Sequence, residues 1–181
     1  MAQQLQPRGE DNPDVEENEI AHLAGVLDAV GTVTVHVSKN DKYSIGYQYQ
    51  AVVRIIRPMD DSDPIMGKLM AYCDELGVRT SISEKSHGPD RDSQSYELHI
   101  KNPDSIRRFL EPMVPYLVTK YEPVVIMLEQ IVPRLEDGLH RNKEGFYELM
   151  EFADMIREDN RRGTELKYTQ SYFEDEWSIA Q

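Results

Sequence analysis

Cysteine is almost missing: Cys73 is the single one in 181 residues. That excludes an intrachain disulfide and any cysteine cluster able to hold zinc, and its apolar helical surroundings make it a core thiol. No apolar run reaches bilayer-spanning length, and neither end carries a basic segment followed by an apolar one. A soluble, cytoplasmic protein with no membrane partner is therefore expected. Positive charge is also scarce, with 20 Lys and Arg against 33 Asp and Glu, a formal net charge of -13. Such a balance weighs against a nucleic-acid partner, because phosphate binding usually leaves a basic footprint. The length allows one ordinary core and not two full domains.

The charge is unevenly spread. Glu10, Asp11, Asp14, Glu16, Glu17 and Glu19 crowd the start, and Glu174, Asp175 and Glu176 the end. Between residues 20 and 172 there remain 24 acids against 19 Lys and Arg, a net of -5. Within residues 32–57 the sign reverses, with Lys39, Lys42, Arg54 and Arg57 against Asp41 alone, a local +3. An acidic surface with more Arg than Lys also resembles the proteins of halophilic organisms, in which acids keep the surface hydrated when salt screens charge.

Residues 1–18 hold too few bulky apolar groups to offset ordering entropy and read as a disordered acidic tail. Asn18 can cap a helix over 19–30, with Ile20, Leu23, Leu27 and Val30 at helical spacing and Gly31 as its stop. From Thr32 the period becomes two, which predicts a strand; a turn over 39–45 leads to a second strand over 46–57. Asp63 followed by Pro64 starts a helix that Gly77 ends. Strands near 78–83 and 95–101 follow, with a turn-rich stretch over 85–94. Asn102 followed by Pro103 opens further helices, about 103–111, 119–132 and 143–160, and 164–181 reads as a tail. This is an α+β plan, helix-strand-strand twice and then helices, with one four-stranded antiparallel sheet whose open face is polar.

Leu23, Ala24, Gly25, Val26, Leu27, Asp28, Ala29, Val30 and Gly31 form a motif that resembles the name-giving sequence of the LAGLIDADG homing-endonuclease family; six of the nine match. Ala21, Gly25 and Ala29 fall four apart on one stripe, small enough to let two helix backbones approach. The polar-faced strand after Gly31, the segment from Pro115 to Lys120, and Lys143, Glu144, Gly145 and Phe146 before a last helix extend the resemblance over residues 19–163. One motif copy implies the homodimeric type, an αββαββα core with extra C-terminal helices, and an isologous pair of motif helices.

The resemblance also implies duplex DNA as partner and Mg²⁺ as cofactor wherever cleavage is retained, in the setting of intron or intein mobility. Family enzymes hold the metal by a carboxylate at the motif's eighth position, and here that residue is Val30, which offers a hard cation no oxygen. No metal ligand is assigned, and DNA cleavage is expected to be weakened or lost. Asp28 points elsewhere around the helix and is a weak catalytic candidate; Lys120 matches the lysine beside the family's water pocket. Alternation puts Thr32, Thr34, His36, Ser38, Gln48, Gln50 and Arg54 on the outward face, continued by Arg79, Ser81 and Ser83, then His99 and Lys101. Arg57 ends the second strand where a phosphate contact is expected. Arg and Gln pair bidentately with guanine and adenine edges, and Thr can touch thymine methyls. The alternatives are an active metal-dependent site-specific endonuclease and a dimeric protein-interaction module without nucleic acid.

Overall fold

Helix α1 (Pro13–Val30) passes into strand β1 (Gly31–Lys39) with no residue between them. A Cβ on Gly31 would lie within about 2.5 Å of the Leu27 carbonyl oxygen and Cδ1, so the abrupt change from helix to strand requires glycine. The computed structural model describes residues 13–58, 63–86, 94–159 and 166–178. Strand β2 (Tyr47–Pro58) returns along β1, helix α2 (Pro64–Glu75) follows, and β3 (Ser81–Ser86) and β4 (Gln94–Ile100) complete one sheet. Its order is β1-β2-β4-β3, and every pair is antiparallel.

The helix starts expected at Asp63 and Asn102 are made as caps. Asp63 accepts from the Ile65 N–H at the start of α2, and Asn102 accepts from the Ser105 N–H at the start of α3 (Pro103–Leu110). Each is followed by proline, whose missing N–H costs nothing in a first helical turn. The run expected over 119–132 is instead α4 (Tyr121–Ile126), a π turn (Met127–Ile131) and α5 (Val132–Glu136). Pro133 has no N–H to bond back into the preceding turn, and the wider turn sits just ahead of it. Helix α6 (Lys143–Asp159) and helix α7 (Gln170–Trp177) complete the chain.

One layer of helices covers one sheet face. Leu23 and Leu27 of α1, Val33 and Val35 of β1, Tyr49, Val53 and Ile55 of β2, and Leu98 and Ile100 of β4 are buried with Phe109, Phe146, Leu149 and Ala153. At roughly 25 cal/mol per Å² of apolar area removed from water, this layer is the main stabilising term. Strand β1 forms one sheet edge. Buried Arg157 of α6 donates from Nε to the Val35 carbonyl oxygen (2.9 Å) and from a terminal nitrogen to that of Tyr168 (2.7 Å), occupying one of the acceptors that an edge strand leaves open.

Two expectations are corrected at the ends. Residues 13–18, assigned to the acidic tail, belong to α1, and Asn18 lies inside the helix instead of capping it. Pro13 followed by acids is the composition a helix start favours. The rest of that tail, residues 1–12, lies outside the described residues. The segment 164–181, read as a tail, contains α7, capped by Thr169 accepting from the Tyr172 N–H. Phe173 is fully buried, with ring centroids 4.9 Å from Tyr47, 5.0 Å from Phe146 and 4.6 Å from Trp177. The first two contacts are edge-on and the third is tilted, and edge-on ring packing adds stability beyond burial.

Candidate nucleic-acid interface

Strand register assembles the outward residues into rows. Thr32 lies opposite Arg54, Arg54 opposite His99 and His99 opposite Ser81, one continuous row across all four strands. Beyond it, His36 faces Gln50 and Ser38 faces Gln48. Val52, opposite Thr34, shares this face and is buried, an apolar floor among polar side chains that alternation had left out. Ser83 continues the face opposite Glu97. Arg79 precedes β3, which begins at Ser81 and not near residue 78 as expected; Arg79 is exposed and its N–H donates to Ser105 Oγ at 3.0 Å.

An acid at the middle of this face was missed. Glu97 is buried on the open side of the sheet, 2.9 Å from Lys85 Nζ and 3.2 Å from His99 Nε2. Burial works against its charge, but the Lys85 hydrogen bond and the charges of Lys85, Arg54 and His99 outweigh it and hold the carboxyl below its usual range. Extending the alternation back from His99 by two residues would have found it. Arg54 acts on Glu97 through its charge alone, and its buried Nε has no hydrogen-bond partner among the described residues.

His99 is held below its usual value, first by burial and then by Lys101, against the opposing pull of Glu97. Below its unfolded value of about 6.5, the unfolded chain therefore binds the proton more readily than the folded one. Stability contributed by the neutral ring is present above that pH and is lost as pH falls through the window beneath it. Denaturant midpoints at about pH 7.5 and about pH 6 should thus decline toward acid, and His99→Gln should flatten the decline; equal slopes in both proteins would contradict it.

The motif ends where β1 begins, next to Thr32. Both Asp28 oxygens are taken: Oδ2 accepts from the Val118 N–H (2.8 Å), and Oδ1 accepts from the Lys120 N–H (2.8 Å) and the Thr119 hydroxyl (3.1 Å). Asp28 is a brace between α1 and the start of α4, which speaks against its being a metal ligand. Lys120 is tied through its backbone to Asp28, two residues from Val30, and its side chain is partly exposed. Val30 is 37% exposed at the last turn of α1. Arg57, expected among the DNA contacts, has the register of the helix-side face and is not a free clamp: its Nε donates to Asp63 Oδ2 at 2.8 Å. Sequence alone could not show that the α2 cap would also bind this guanidinium. Among the described residues no group of three or more His, Cys, Asp or Glu is placed to hold a metal ion.

Ala21 is partly exposed, and Gly25 and Ala29 are exposed, with nothing within 4 Å of where a Gly25 Cβ would be. Next to this stripe, exposed Val118 (82%) and Tyr121 (51%) flank the segment that Asp28 holds. No described helix is long and apolar enough to cross a membrane.

Helix running into strand, strand pairs alternating with helices, and one sheet face packed under helices with a largely polar face opposite define an α+β protein. The fold is that of the LAGLIDADG homing endonucleases. The homing endonuclease I-CvuI, in complex with the I-CreI target with Mg present and the DNA not cleaved, superimposes with a TM-score of 0.73 at 18% identity, over 92% of this chain and 99% of that one. The archaeal intron-encoded homing endonuclease I-Vdi141I, complexed with DNA, gives 0.69 at 19% identity, over 93% and 100%. The LAGLIDADG meganuclease I-CpaMI, bound to uncleaved DNA, gives 0.63 at 19% identity over 88% of this chain but 48% of that one. In sequence the chain is 26% identical over 133 residues to a probable intron-encoded endonuclease 2 of Neurospora crassa, covering 71% of this chain and 27% of that relative's length. No protein-family profile matches.

Proposed function

We propose that this chain binds duplex DNA as a homodimer through its open sheet face, with metal-dependent cleavage weakened or lost. The observation that carries the reading is the row of Thr32, Arg54, His99 and Ser81, with Gln50, Gln48 and His36 beside it, on the sheet face opposite the one packed under helices. A β-ribbon fits the major groove, and arginine and glutamine on its outer face, as Arg54, Gln48 and Gln50 are here, pair with guanine and adenine edges. Two similar proteins, I-CvuI and I-Vdi141I, are described with DNA.

The stripe of partly exposed Ala21 and exposed Gly25 and Ala29 supports pairing of two motif helices, with Val30, Val118 and Tyr121 adding apolar surface at its end. The match to about half of I-CpaMI, at 48% of that chain, agrees with a unit that needs a second copy. The residues present do not fit a divalent metal: Val30 has no donor atom, and the Asp28 oxygens already accept three protein hydrogen bonds.

Selection of a bound sequence from random duplexes by gel shift tests the reading, at low and at molar salt. Counterion release shrinks as salt rises, so retention at molar salt would also support the halophilic composition. Arg54→Ala with Gln50→Ala should lower affinity for the selected duplex by roughly 1 to 3 kcal/mol per lost bidentate pair, with far less change on unrelated duplexes. Unchanged affinity for the selected site would exclude this face as the reader.

A further inference from the structure

Two segments far apart in sequence meet beyond the far end of β1. Ser44 Oγ in the β1–β2 hairpin donates to the Arg141 carbonyl oxygen at 3.3 Å. The hairpin is held by its own backbone: the Asn40 N–H donates to the Gly46 oxygen (2.8 Å), the Gly46 N–H donates to the Tyr43 oxygen (2.9 Å), and Gly46 turns the chain at φ +79°. Opposite it, a 3-10 turn (Leu139–Arg141) leads into α6, where Asn142 Oδ1 accepts from the Gly145 N–H at 2.9 Å. A Cβ on Gly145 would lie 2.4 Å from the Leu139 carbonyl oxygen, so the turn is pressed against the helix and fixed there.

What these two rigid pieces present is basic. Residues 39–46 and 139–143 carry Lys39, Lys42, Arg141 and Lys143 against Asp41, a net of +3 in a chain of -13. All four cations are exposed, and among the described residues none makes an ion pair. The nearby acids are Glu144, next in the chain, and Glu176, which accepts from Tyr47 Oη at 3.3 Å. The Lys143 ammonium lies over the Trp177 ring at 5.5 Å, which steadies it without neutralising it.

We propose that Lys42, Arg141 and Lys143 form a sequence-blind phosphate clamp that grips the duplex backbone outside the base-reading face. This rests on the reading of the chain as a dimeric duplex binder. The nine residues of β1 separate the clamp from the motif helix. At about 3.3 Å per residue they span roughly 30 Å, or about nine base pairs of duplex from the dimer axis. Phosphate contacts position a protein and carry no sequence information. They complement a reading face that holds few cations of its own.

The test compares the full-length wild type with Arg141→Gln/Lys143→Gln and with Lys42→Gln, on the selected duplex and on a scrambled one, as salt is varied. The double variant should weaken both duplexes by the same factor, on the order of tenfold at low salt, and reduce the slope of log affinity against log salt by about two. Lys42→Gln should reduce it by about one. Ethylating phosphates about nine base pairs from the centre of the site should weaken the wild type and leave the double variant unaffected. Thermal unfolding should be unchanged in Lys42→Gln and only slightly lowered in the double variant, which loses the contact of exposed Lys143 with Trp177. Wild-type binding with an unaltered salt slope in the variants, or a loss confined to the selected sequence, would overturn the clamp alone. No duplex binding by the wild type would overturn the clamp together with the reading it rests on.

Discussion

Val30→Asp should give a protein that is less stable without divalent metal than the wild type, and that gains magnesium-dependent nicking of the duplex it binds. The wild type should show little or no such cleavage. Val30 is 37% exposed at the end of α1, so aspartate fits the single chain without a buried charge. In the proposed dimer, two such carboxylates meet near the axis and repel one another until a cation lies between them. Denaturant unfolding with and without magnesium measures the first effect, and supercoiled-plasmid nicking the second. Asp28→Asn is the control. The amide cannot accept from both the Val118 and Lys120 N–H groups and the Thr119 hydroxyl as the carboxylate does, so it should loosen the start of α4 and lower stability. Robust double-strand cutting by the wild type, abolished by Asp28→Asn in a protein that remains folded, would show that Asp28 carries the metal after all.

Gly25→Leu should convert a dimer to a folded monomer. Nothing lies within 4 Å of a Cβ at this position in the single chain, and leucine favours helix over glycine by about 1 kcal/mol. The substitution therefore costs the isolated fold nothing, and its side chain fills the space that the second helix backbone would need. Sedimentation equilibrium with circular dichroism separates the outcomes. A stable dimer in the variant would rule out pairing through this stripe, and a monomeric wild type would rule out the dimer itself.

Much of the architecture was legible because short-range chemistry dictates it. The alternation of Val33, Val35 and Val37 with Thr34 and His36 gave β1 and its polar face, and the Asp-Pro and Asn-Pro pairs gave the starts of α2 and α3. Helix α7 is hard to recognise in sequence although Thr169, Tyr172, Phe173 and Trp177 have the spacing of a capped helix with an aromatic face, because Glu174, Asp175 and Glu176 give the segment the composition of an acidic tail. The π turn before Pro133 follows from a lost hydrogen bond that sequence periodicity does not register. The candidate site divides along the same line. Thr32, Thr34, His36, Ser38, Gln48, Gln50 and Arg54 follow from parity alone. The Arg57 pairing with Asp63 and the capture of the 118–120 segment by Asp28 join groups 6 and about 90 residues apart and depend on packing that one sequence does not display.

The junction at Gly31 has a consequence for how recognition can change over time. Because α1 becomes β1 without a single intervening residue, the reading strand has no hinge of its own, and in the proposed dimer its position along the duplex is set wherever the two motif helices cross. If the open face reads bases as proposed, a new base in the target can be followed by one new side chain at Gln48, Gln50 or Arg54. A new distance between half-sites has no such local remedy, since it would require the helix crossing to be rebuilt. Lineages carrying this fold should therefore drift readily in the letters of their targets while the spacing between the two halves stays fixed.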